Sequence, residues 1–139
     1  MNWLFWSLLS AFFGGLTAVL AKVGLTGVNS NLATAVRTTV VLLFAWSVAL
    51  ATGPASAVAN LSRRTWLFLA LSGVATGLSW LCYFRALQLG PASKVAPIDK
   101  LSVIFVIVFA VFFLGEAITW KAAVGASLIA VGAILLATS

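Results

Sequence analysis

Of the 139 residues, 63% are hydrophobic and 7% charged, where a soluble domain carries roughly 45–50% apolar and about 25% charged residues. With a mean hydropathy of +1.20, eight basic and two acidic residues leave no polar face with which helices could cover a core in water, so a soluble globule is excluded and the solvent is a bilayer. The absence of histidine and a single cysteine, Cys82, exclude an internal disulfide and the usual zinc, haem and iron–sulfur ligand sets, and no metal or cofactor is expected.

The first predicted span runs from Trp3 to Val23 and ends in a Gly/Asn/Ser-rich turn, Gly24 to Asn31. It is as apolar as a signal peptide, but Met1-Asn2-Trp3-Leu4 has no basic leader, so it is read as a true span. The second covers 32–51 and stops at Thr52-Gly53-Pro54, before the longest polar stretch, 55–65, which holds Arg63 and Arg64. The third covers 66–89 and is broken by Gly90-Pro91, since glycine accepts left-handed geometry and proline lacks an N–H. The fourth covers 92–114 and is closed by Gly115-Glu116; Thr119 is positioned to cap the fifth, 120–137. The runs are too long, and too free of alternation, for strands. At about 20 residues per span, five helices occupy the whole of residues 1–139 as one all-α integral membrane domain.

Alternating the direction of successive spans sorts the charges onto two membrane sides. One receives Arg63, Arg64, Glu116 and Lys121; the other receives Lys22, Arg37, Arg85, Lys94, Asp99 and Lys100. Trp3, Trp6, Trp46, Trp66 and Trp120 all fall toward the first side, as an interfacial aromatic belt does. Arg37, Asp99 and Lys100 lie several residues inside their helices, and without them the flanking basic residues balance: Lys22, Arg85 and Lys94 against Arg63, Arg64 and Lys121. Balanced flanks give little to fix the direction of insertion, so insertion both ways is expected, and two five-span copies in opposite orientations form an inverted pair. The basic residues lie singly among apolar ones and form no patch of the kind that binds nucleic acid.

Ionisable groups inside a bilayer cost roughly 2.5–3.5 kcal/mol each on insertion scales, so each needs a partner or a wet cavity. Asp99 has Val95 and Val103 four residues away on its helix, and Lys100 projects about 100° from it, so its counter-charge is expected from another span, with Arg37 or Lys22 the leading partner. The roles open to it are a buried pair that fixes helix register, coupling to substrate or protons, and plain interfacial exposure. Lys22 and Arg85 are within about a turn of helix ends, where long stems snorkel charge to the headgroups. The second side carries a basic surplus that attracts either an anionic solute or anionic lipid. Pro97 is expected to free the Ser93 carbonyl and kink the fourth span beside Asp99. Gly73 and Gly77 form GxxxG, continued by Trp80 and Phe84, and read as a close helix contact or as a small pocket under Trp80 and Tyr83. In the fifth span Ala122, Gly125, Ala126, Ala130 and Gly132 read as a packing face, for a dimer or internally. Glu116 is expected to clamp its turn near the positive N-terminus of the fifth span, or to act as a gate.

Three stretches, Ala86 to Pro97, Phe112-Phe113-Leu114-Gly115-Glu116 and Gly125 to Gly132, jointly resemble the EamA family of the drug/metabolite transporter superfamily. Its repeat carries an alanine-leucine run before span four, a leucine-glycine-glutamate at its end and a glycine-rich fifth helix, and the resemblance covers essentially the whole chain. Typical members have two repeats and ten helices, so the resemblance implies a single-repeat, half-size member that needs a second copy or a partner half. It also implies gradient-linked movement of small metabolites, and it supports spans one, three and four as lining the path.

The expectation is therefore a secondary-transporter subunit of a bacterial-type inner membrane, moving amino-acid-like or other small, anionic solutes as an antiparallel dimer. Its partners are membrane lipid, the solute, and a second copy or paired half. Lys22, Arg37, Trp80, Tyr83, Arg85, Asp99 and Lys100 are the candidate path residues. The rival reading is a non-transporting subunit that assembles with another transporter half. An enzyme is not expected: the two carboxylates, Asp99 and Glu116, stand at opposite ends of span four, about 25 Å apart at a rise of about 1.5 Å per residue, too far to act on one bond.

Overall fold

The computed structural model describes residues 2–139. It contains helices α1 (Trp3–Gly24), α2 (Ser30–Thr52), α3 (Arg63–Leu89), α4 (Ala92–Asp99), α5 (Ser102–Leu114) and α6 (Trp120–Thr138), with a 3-10 helix, Ala55–Asn60, between α2 and α3. No strand occurs among the described residues. With α4 and α5 counted as one interrupted span, five segments are long and apolar enough to cross a membrane, and the all-α membrane fold is the one expected. The surface suits that solvent: Ala18, Leu25, Phe84, Leu87 and Ala133 are the buried apolar residues described, while large apolar side chains along α1, α2, α3, α5 and α6 face outward. That is the inverse of a water-soluble core and suits contact with lipid chains.

Capping residues move two helix starts earlier than the apolar runs indicate. The Asn29 side-chain oxygen accepts from the Asn31 and Leu32 amides at 2.9 and 3.3 Å, so α2 begins at Ser30 rather than Leu32. The Ser62 hydroxyl accepts from the Thr65 amide at 3.1 Å, which brings Arg63 and Arg64 into the first turn of α3 rather than a loop. Thr119 caps α6 as expected, accepting from the Ala122 amide at 3.2 Å. Gly115 closes α5 with φ +67°, a left-handed geometry that favours glycine.

Span four departs from its expected form, since it is two helices rather than one kinked one. Beyond Pro97 the backbone pairing tightens to three-residue spacing: the Lys100 amide donates to Pro97, Leu101 to Ile98, Val103 to Lys100 and Ile104 to Leu101, at 3.0–3.1 Å. Lys100 and Leu101 stay right-handed, so the interruption is a turn of tighter helix and not a chain reversal.

The chain divides into two compact units. The first joins residues 2–23 to Leu89–Ser139. Within it α6 lies chiefly against α4 and touches α5 only lightly, although just five residues link α5 to α6. Ala133 is the buried residue of α6, and Gly125, Ala126, Ala130 and Gly132 are half-buried beside the exposed Ala122. The second unit is Gly24–Gln88, comprising α2, the 3-10 helix and most of α3. Its GxxxG pair does not make the close helix contact expected of it: a methyl group added at Gly73 or Gly77 would meet nothing within 4 Å.

Candidate functional site

In the second unit, Trp80 and Phe84 stand one helical turn apart and so share a face of α3. The Arg37 guanidinium of α2 lies over both rings, 4.2 Å from the Trp80 centroid and 5.5 Å from that of Phe84. Tyr83, in the same turn of α3, is half-buried. The flanking hydroxyls turn to their own helix, Thr34 donating to the Ser30 carbonyl at 2.8 Å and Thr38 to the Thr34 carbonyl at 2.7 Å. Arg37 Nη1 is buried and, among the described residues, has no hydrogen-bond partner. Stacking on each aromatic face offsets about 0.5–2 kcal/mol, against the roughly 2.5–3.5 kcal/mol that an arginine costs at the centre of a spanning helix.

At the end of α3 the exposed Arg85 does not simply snorkel. Its Nη1 donates to Gln88 Oε1 at 2.9 Å, and Gln88 Nε2 donates to the Val28 carbonyl at 2.7 Å. This relay ties the last turn of α3 to the segment after α1. Gln88 and Phe84 are not among the candidate path residues of the sequence; the signal for Gln88 is its place three residues beyond Arg85 on a helix, and for Phe84 its place four beyond Trp80 on the Gly73/Gly77 face.

In the first unit, Lys22 Nζ donates to the Gly90 carbonyl at 2.8 Å, fastening the end of α1 to the Gly90-Pro91 break. The expected Asp99 pairing with Arg37 or Lys22 is corrected: Asp99 Oδ2 takes the ammonium of Lys100 at 3.4 Å. Regular helical spacing would keep the two side chains apart, but Lys100 occupies the tightened turn, from which its flexible stem returns to Asp99. The pair remains accessible, Lys100 at 67% and Asp99 at 36%. Near the Gly115 turn, Glu116 lies at a recess of about 130 Å³ lined by α5, the link and the start of α6. Among the described residues no group of His, Cys, Asp and Glu could hold a metal ion. The candidate residues thus form an aromatic-arginine cluster and an Arg85–Gln88 relay in one unit, and a Lys22 tether and an Asp99–Lys100 pair in the other.

The sequence matches the EamA-like transporter family over residues 1–138. It is 54% identical over 136 residues, 98% of this chain and 96% of the relative, to a Sinorhizobium protein named "Uncharacterized transporter in cobO 3'region". It is 40% identical over 74 residues, 53% of this chain and 69% of the relative, to an Enterobacter protein named "Probable 4-amino-4-deoxy-L-arabinose-phosphoundecaprenol flippase subunit ArnE". No solved structure matches.

Proposed function

The chain belongs to the EamA-like transporter family, and from that premise we propose that it is a secondary-transporter subunit moving small anionic metabolites across a bacterial-type inner membrane. The observation that carries the anionic preference is the Arg37 guanidinium, which lies over Trp80 and Phe84 with one buried nitrogen unpaired among the described residues. A carboxylate or phosphate oxygen accepting from Nη1 would satisfy that donor, and the aromatic faces would orient the planar group. Lys22, Tyr83, Arg85, Asp99 and Lys100 join Arg37 and Trp80 as path residues in this reading, with Pro97 supplying flexibility in span four.

The working form is an antiparallel dimer. Balanced flanking charge and an odd number of spans support it, because two oppositely inserted copies supply the symmetry of inverted-repeat transporters. The small residues Ala122, Gly125, Ala126, Ala130 and Gly132 offer a contact to the second copy, since the two glycines leave open space around them. A specific observation favours a second reading: the Enterobacter relative is named as a subunit, which suits a chain that transports only with a different half.

Proteoliposomes containing only this chain test both. Uptake of radiolabelled carboxylates and phosphate esters is expected, with Arg37→Gln abolishing it and Arg37→Lys leaving roughly a tenth or less, the equivalent of about 1.4 kcal/mol lost with the planar fork. Wild-type uptake by Arg37→Gln would remove the anion site. No uptake until a second subunit is added would establish the paired-half reading.

A further inference from the structure

The weak contact between α5 and α6 leaves a wedge at the end of the first unit. Five residues join the two helices, yet α6 packs on α4, so α5 diverges from it and a recess of about 130 Å³ opens between them. Val106, Ala110 and Val111 of α5, Ile118 of the link and Ala122 of α6 make its walls apolar, and Glu116 supplies a carboxylate. The volume is comparable with the roughly 150 Å³ apolar cavities that take up a molecule of benzene. The backbone of the turn is fixed, because the Gly115 and Glu116 amides both return to the Ala110 carbonyl, the latter at 3.2 Å. Among the described residues the Glu116 side chain makes no hydrogen bond or ion pair.

We infer that this wedge is a lipid site selective for phospholipids with a primary ammonium headgroup. An apolar recess open to a bilayer is filled by hydrocarbon, since lipid chains are the medium around it. Its position at the turn between two spanning segments brings the headgroup layer level with Glu116. A primary ammonium donates hydrogen bonds to that carboxylate, whereas a trimethylated one has no N–H and an anionic glycerol headgroup is repelled. The acyl chain then lies along Val106 and Ala110 and holds α5 at its observed spacing from α6. This site is independent of the Arg37 cluster and of whatever solute the protein moves.

Native mass spectrometry of the full chain, offered equal amounts of phosphatidylethanolamine, phosphatidylcholine and phosphatidylglycerol with identical acyl chains, tests it. The expected result is about three- to fivefold greater retention of phosphatidylethanolamine, the scale of one solvent-exposed charge pair. Glu116→Gln, an isosteric change at an exposed position, should abolish that preference, and Glu116→Asp should keep part of it. Equal retention of the three lipids by the wild type, or an undiminished preference in Glu116→Gln, would overturn the inference. So would a lipid-free dimer, which would mean that a helix of a second copy fills the wedge.

Discussion

Thr119 and Gly115 bracket the link between α5 and α6, and each acts through one backbone feature. Replacing Thr119 with alanine removes the acceptor for the Ala122 amide, and a loss of about 1 kcal/mol is expected in thermal unfolding in detergent. Gly115→Ala forces a side chain into φ +67° and should cost about 1 kcal/mol by the same measurement, through backbone strain alone because the added methyl meets no neighbour. Thr119 was legible in the sequence because a cap is read from its own position before an apolar run. Asn29 was less so, being one of several polar residues in a turn that could each have started α2. Asp99 was misassigned to a partner on another helix because regular helical spacing was carried across residues that leave it. The Arg37 candidate was legible as a deep charge, but its aromatic cradle depends on how α2 meets α3, which spacing within one helix does not encode.

The five spans were readable from length and hydropathy, and the interruption of the fourth was not. Pro97 directed attention upstream to the Ser93 carbonyl, whereas the altered pairing lies downstream, between Pro97 and Ile104. A proline flags disturbance in a helix, but neighbouring contacts decide which turn absorbs it. Pro97→Ala restores an amide and removes the ring, so α4 and α5 should merge into one regular helix. Hydrogen exchange at the Lys100 and Leu101 amides is then expected to slow, and the Asp99–Lys100 pair to separate as their side chains resume regular angular spacing. Unchanged exchange would mean that the tightened turn is held by packing rather than by the proline. GxxxG marks a helix that a partner can approach, yet nothing approaches Gly73 or Gly77 within this chain.

For the whole molecule, the charge balance gives a direct expectation. A tag at Ser139 read by cytoplasm-active and periplasm-active reporters should report both sides. Val28→Lys adds a basic residue to the turn after α1, and by the positive-inside rule it should shift the population toward a cytoplasmic C-terminus. A single signal in the wild type would exclude the inverted homodimer and direct the search to a separately encoded half. The division into units was not visible in the sequence, because hydropathy marks which segments enter the membrane and says nothing of which ones adhere.

That division has a consequence for synthesis. The hairpin Gly24–Gln88 is a continuous stretch of chain, so it can complete as soon as its last residue leaves the ribosome, whereas the other unit joins the earliest helix to the latest ones. Helix α1 must therefore wait in the lipid until α4 to α6 are made, because along the chain the hairpin separates the two parts of its unit. The closing of that long intervening loop costs entropy that only late contacts recover. A chain truncated after Leu89 and released would hold one finished unit and one orphan helix, a species that insertion chaperones and quality-control proteases would meet.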